Sequence, residues 1–425
     1  MRDTRAWDWE AGEKAVTRFG EWAERFEWVE EPYASPDGES VAAVVKSGET
    51  EFSVCVNGEK WEADYERVWS LRFSPDGKAT AVVVQDMRSS VAQDGVQWED
   101  SADFMWCLLF AENSPSVACA AQEDGRYFAV VDGVRWENDF LNLTGLALSP
   151  DGKKSVAAVQ TRPLTEGDIT AFQAGCYGVA LNGEVVGDNY LSVWDSAFSP
   201  DSAHCASEVR TSLYEATIAR DGKAWNKWFP GVWRPKFNPV SGVLTAPARF
   251  PSGWTLAADG EQLWERGFTQ LWRHRYSANG STIAAVIARR FGRWTVAVDG
   301  VPWQHTFGDF VDELVLSDDG RHVACIGAED CRRTIMVDDR PWTQWFDMAW
   351  PPVFSPDGNH VGTLVEKEKR YTLAIDGKTL PETYIHAWPP VFGPDSDRVM
   401  LRAVRDDGGT AVYIRKVIML DSVLR

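Results

Sequence analysis

The chain has 425 residues, of which 43 are Lys or Arg and 63 are Asp or Glu, giving a formal net charge of −20. Nucleic acid and anionic membrane surfaces demand a basic footprint, so this charge argues against both and suits an acidic soluble protein or one that docks on a basic partner. No apolar stretch approaches the roughly 20 residues of a membrane span, and "MRDTRAWDWEAGEKAV" lacks a secretory apolar core, so a cytoplasmic location is expected.

Residues 1–29 stand apart as an N-terminal extension. Ala15, Val16, Phe19, Trp22, Phe26 and Val29 recur every three or four residues, a spacing that predicts an amphipathic helix within residues 10–29, although Gly12 and Gly20 weaken it. The helix is expected to pack on the rest of the chain or to dock on a partner. Phe19, Trp22 and Phe26 are its candidate partner-binding residues. Just before it, "AWDWEAG" is similar to strands met later, so residues 7–10 are expected to complete the last repeat unit.

From residue 30 to 425 the chain repeats. Asp-Gly or Asn-Gly tips fall at Gly58, Gly95, Gly133, Gly183, Gly222, Gly260, Gly300 and Gly377, with a glycine-free copy at Asp338-Asp339. A second turn, "SPDG" and looser versions of it, begins at Ser35, Ser74, Ser149, Ser199, Ser277, Ser317, Ser355 and Gly393. Between these turns lie short β-rich runs such as "WSLRFS", "ATAVVVQ" and "SSVAQ". Strand, Asp-Gly, strand is a strong hairpin signal, and four short strands recurring about every 39 residues read as propeller blades. The expectation is an all-β propeller of about ten four-stranded blades, with two smaller stacked rings as the alternative.

The 22 tryptophans keep step with this repeat. Trp61, Trp98, Trp136, Trp225, Trp264, Trp303 and Trp342 follow the hairpin tip. Trp69, Trp106, Trp194, Trp233, Trp272, Trp350 and Trp388 lie on the first strand of their units. Trp254 and Trp294 begin a third strand, where other units place Phe52, Tyr127, Tyr177 and Tyr371. A residue type in phase with the repeat is expected to pack between blades, where a buried aromatic contributes up to about 4–6 kcal/mol.

The fourth unit carries an insertion, "TRPLTEGDITAFQAG" at 161–175. Insertions of repeat proteins map to loops, often on a binding face, which makes Phe172 a further candidate partner-binding residue. No nucleophile elbow, P-loop, HExxH or CxxCH is present. The seven scattered cysteines read as reduced, mostly buried hydrophobes, and Cys325 and Cys331, which flank a hairpin, as a chance pair rather than a redox couple. His204, His322 and His360 each follow the "SPDG"-type turn and occupy one structural position. No catalytic, metal-binding or cofactor-binding residue is expected.

The "FSPDG" turn resembles the PD40/TolB-like β-propellers related to WD40 repeats. Combined with "VDGVxW" and the tryptophan content, the chain resembles the tryptophan-rich subunits of the Tmc transmembrane redox complexes of sulfate-reducing bacteria. That resemblance implies a non-catalytic, cofactor-free accessory subunit. Its expected partners are a membrane cytochrome b, a heterodisulfide-reductase-like iron–sulfur subunit and a periplasmic multihaem cytochrome, the iron–sulfur subunit foremost. A propeller enzyme or small-molecule binder with its site at the ring centre, and a peptide-binding adaptor unrelated to redox, are the rival expectations.

Overall fold

The computed structural model describes residues 4–164 and 167–424. Ten blades succeed one another, each an antiparallel sheet in which strands that follow in sequence also neighbour in space. The second blade shows the pattern: Arg67–Phe73, Ala79–Gln85, Arg88–Gln93 and the short Val96–Gln97. In every blade the second and third strands carry the core, as in "VAAVVK" of Val41–Lys46 and "FSVCV" of Phe52–Val56, where the central residues are all buried. Strands buried on both faces read as continuous apolar runs, which is what sheets stacked against two neighbours require. First strands of neighbouring blades touch each other at most of the seams, so they form the inner wall of the ring.

Both punctuating turns are built by side chains. In seven units the serine that opens the turn closes it on itself: Ser149 Oγ donates to Asp151 at 2.7 Å and accepts from the Lys154 amide at 2.9 Å. The first residue of the outer hairpin then reaches back to the second strand, as Asp132 accepts from the Val117 amide at 2.7 Å. Where histidine follows the turn it bonds that same hairpin residue: His204 to Asp221 at 2.7 Å, His322 to Asp338 at 2.6 Å and His360 to Asp376 at 2.7 Å. These three histidines thus do one structural job, tying two turns on one face of the ring.

The N-terminal segment differs from expectation. Gly12–Arg18 is a strand, and it pairs antiparallel with Thr410–Met419 as the outermost strand of the tenth blade. Helix is confined to the seven residues Phe19–Arg25. The apolar spacing was set by a different constraint: Trp22 is 1% exposed and packs with Phe26 against Val41, Val45, Cys55 and Tyr413, in the seam between the last and first blades. Ring closure by the N-terminus therefore occurs, but through 12–18 rather than 7–10. Residues 7–10 lie nearby, with the carbonyls of Asp8 and Trp9 accepting from Arg415 and Arg398.

Candidate functional site

The hairpin tryptophans sit on the hairpin glycines of the following blade. A Cβ on Gly95 would stand 3.3 Å from Trp61, on Gly133 3.4 Å from Trp98, on Gly183 3.0 Å from Trp136, on Gly300 3.2 Å from Trp264 and on Gly377 3.5 Å from Trp342. Trp225 stands 3.8 Å from the corresponding point on Gly260. These glycines have φ between +77° and +89° except Gly58 at +96°, so they satisfy a left-handed turn and an indole's approach at once. Trp22 completes the series, 3.5 Å from the Cβ position of Gly58. Where glycine is missing, the Asp339 carboxylate instead accepts from the amides of Gln304 and His305 at 2.8 Å, holding the segment that follows Trp303.

The first-strand tryptophans make most of their ring contacts inside their own blades, while Trp272, Trp350 and Trp388 also pack into apolar clusters shared with the next blade. Trp106 meets Tyr127, Trp233 meets Trp254, Trp272 meets Trp294, Trp350 meets Tyr371 and Trp388 meets Tyr413, with ring centres 4.6–6.0 Å apart. The geometry permits this because the residue opposite on the second strand is small or slender, Ala120 for Trp106 and Val286 for Trp272. Trp69 alone of the set stacks across a seam, on Phe104 of the third blade. Trp194 is 40% and Trp233 42% exposed.

Of the candidate partner-binding residues, Trp22 and Phe26 are buried in the closing seam and Phe19 is half-buried beside them. Trp22–Phe26 repeats the spacing of Trp61–Tyr65, Trp136–Phe140, Trp225–Phe229 and Trp264–Phe268, all edge-on aromatic pairs. That four-residue step was the signal that this segment belongs to a blade. Phe172 is half-buried on the short helix Ile169–Gln173 of the insertion, whose Asp168 caps it through the Ala171 amide. Thr165 and Glu166 of the insertion lie outside the described residues. Cys325 is buried mid-strand, whereas Cys331 lies at an exposed hairpin tip, so the two do not pair.

Two surfaces remain that the spacing arguments did not reach. One is the inner wall. After the first-strand tryptophan position, held by Thr144 and Asp312 in two blades, the strand bulges, with left-handed φ at Ser70, Cys107, Gly145, Asp195, Arg273 and Glu313. Charged residues gather at and beside this bulge in the fifth to eighth blades. Arg234 pairs with Asp195 at 3.0 Å, and Arg273 with Asp312, each linking adjacent blades. Glu208, almost fully buried on the second strand opposite Trp194, accepts no hydrogen bond from a described residue. Burial, reinforced by Asp195, pushes its carboxyl up to about 7 against the pull of Arg210 and Arg234.

The other surface is the face opposite the "SPDG" turns, formed by the tips joining second to third strands. In the fifth to seventh blades these tips and the connections beside them bear Leu213, Tyr214, Trp228 and Phe291, with Tyr214 83% and Phe291 96% exposed. Arg249, Arg266, Arg289 and Arg290 lie among them, all exposed. Arg249 and Arg290 have no ion pair among the described residues. This sector of an acidic protein is thus apolar and basic, the reverse of what the net charge suggested for a docking surface.

No family model and no curated protein matches the chain. Solved structures are similar in outline only. A eukaryotic initiation factor shares 11% identity at a TM-score of 0.49, over 79% of this chain and 92% of that one. The Dos1 propeller shares 11% at 0.36, over 96% and 95%. TolB from Acinetobacter baumannii shares 13% at 0.29, over 73% and 78%. The blades described above establish the chain as a ten-bladed β-propeller.

Proposed function

We propose that the protein is a non-catalytic scaffold which docks an acidic protein partner on the apolar, arginine-rich sector of its fifth to seventh blades. The observation that carries this reading is the exposed Leu213, Tyr214 and Trp228 on the fifth blade and its connection to the sixth, together with Phe291 on the seventh. Single exposed apolar residues are ordinary, but a contiguous patch bordered by charge marks an interaction surface, and aromatic and Arg side chains are the usual anchors of such interfaces. Arginines without intramolecular partners supply complementarity to carboxylates.

The finer reading, resting on the resemblance to the Tmc subunits, makes the partner the iron–sulfur subunit of a membrane electron-transfer assembly on the cytoplasmic side. In this reading attachment to the membrane runs through partner subunits; among the described residues no helix is long and apolar enough to cross a membrane.

The test is a gentle detergent purification of the tagged protein from its native cells, with mass spectrometry and a visible spectrum. Wild type is expected to carry haem and iron–sulfur subunits, and Phe291→Asp combined with Arg290→Glu to lose them. A colourless eluate contradicts the redox assignment, and capture unaffected by the double variant contradicts the docking face.

A further inference from the structure

The mouth of the central channel on the "SPDG" side is not uniform. Between the third and seventh blades it opens into a cavity of about 500 Å³, a size suited to a small molecule. The room arises because Ala147 and Ala197 occupy an inner-wall position at which other blades carry Arg72, Leu109, Val315 or Val391. Leu148, Phe198, Phe237 and flanking prolines make one side of the cavity apolar.

In the same cavity, on the same register of two adjacent first strands, stand Lys236 and Arg275. The wall motifs "WRPKF" and "WRHRY" bring four cations to neighbouring blades. Arg234 and Arg273 are taken by Asp195 and Asp312, whereas the side chains of Lys236 and Arg275 have no ion pair and no hydrogen bond among the described residues. Between them His274 points into the blade, fully buried and bonded to Thr245 at 3.1 Å. Burial, and then Lys236, depress it to about 3, so it is neutral and adds no charge.

The Lys236 ammonium is lowered from its usual value by the loss of hydration within the channel walls and by Arg275 and Arg234. Glu112, on the far side of the cavity, is the one acid acting on it in the opposite sense. Two like charges held side by side in a walled, partly apolar space form an uncompensated arrangement that a bound anion relieves.

We propose that this channel mouth binds a small organic anion, its carboxylate or phosphate between Lys236 and Arg275 and its apolar body against Phe198, Phe237 and Leu148. The fork of Arg275 can take two oxygens while Lys236 supplies a point charge. The site lies on the face opposite the docking sector, so it stands independently of the partner reading.

Titration calorimetry on the full chain tests this with phenyl phosphate, benzoate and benzylamine as probes. Saturable one-to-one binding of either anion is expected, phenyl phosphate alone indicating a phosphate site and benzoate a carboxylate site. Benzylamine should bind at least about tenfold more weakly. Arg275→Gln and Lys236→Met, both at exposed side chains, should each weaken the anion about tenfold or more, and Glu112→Gln should tighten it. Absence of saturable binding up to about 10 mM, equal binding of benzylamine, or affinities unchanged in the variants would overturn the proposal.

Discussion

A buried carboxyl with no hydrogen-bond donor is a costly residue, and Glu208, which accepts no hydrogen bond from a described residue, is such a group on the inner wall whose ionisation falls near neutrality. Its folded value of about 7 lies above the ordinary 4.5, so ionising it costs the folded state more than the unfolded chain. The penalty is absent below about pH 4.5, grows between the two values and is complete above pH 7. Glu208→Gln should therefore raise stability at pH 8 by up to about 3 kcal/mol, with the difference from wild type vanishing at pH 4.5. Denaturant unfolding at both pH values measures this, and an equal or lower stability of the variant at pH 8 contradicts it. In the same register other blades hold Val82, Ala120, Ala158, Val286 and Ile326, so the position tolerates an apolar residue. Retaining an acid there beside Arg234 and Asp195 marks the fifth blade as chemically distinct within a ring of near copies.

At the scale of elements, strands, hairpins and turns were legible because each rests on local chemistry that the sequence displays. Asp-Gly tips need left-handed backbone, serine and aspartate in "SPDG" close a turn with their own side chains, and apolar runs bounded by such turns have the length of strands. The N-terminal element was misread because a helical spacing of Val16, Phe19, Trp22 and Phe26 coincides with the Trp-x-x-x-aromatic step of a blade's outer edge. Pairing with Thr410–Met419 overrides the local pattern, and the partner lies some 400 residues away. The bulges after the first-strand tryptophans were invisible for a related reason: the residues there, Ser70, Cys107, Asp195, Arg273 and Glu313, share no type. Loss of the closing strand should be felt strongly. Without residues 1–26 the tenth blade exposes an unpaired edge and the seam loses Trp22 and Phe26, an exposure that favours association of chains. Thermal unfolding of this truncation should fall by about 5 °C or more, on the order expected for losing several kcal/mol from a chain of this length, and a synthetic peptide of residues 1–27 added in trans should restore part of it. An unchanged melting temperature would show that the ring does not depend on this closure.

For the whole molecule, the blade number and the single ring follow from a repeat in which seven seams are built alike, an indole on a left-handed glycine, including the one joining last to first. Function is less legible, because a repeat conserves the seam and frees the tips. The residues that distinguish the fifth to seventh blades, Tyr214 and Phe291 on one face and Lys236 and Arg275 at the other mouth, sit at variable positions where spacing carries no information. Their meaning emerges only when folding places them side by side. The net charge pointed toward a basic partner, but the exposed arginines and aromatics gather in one sector and reverse that inference locally. The most direct test of the docking account is hydrogen exchange on the purified native assembly, compared with the free protein. Protection confined to residues 211–215, 226–230 and 289–293 is the predicted result. Protection over the "SPDG" turns instead, or no change at those three segments, would contradict it.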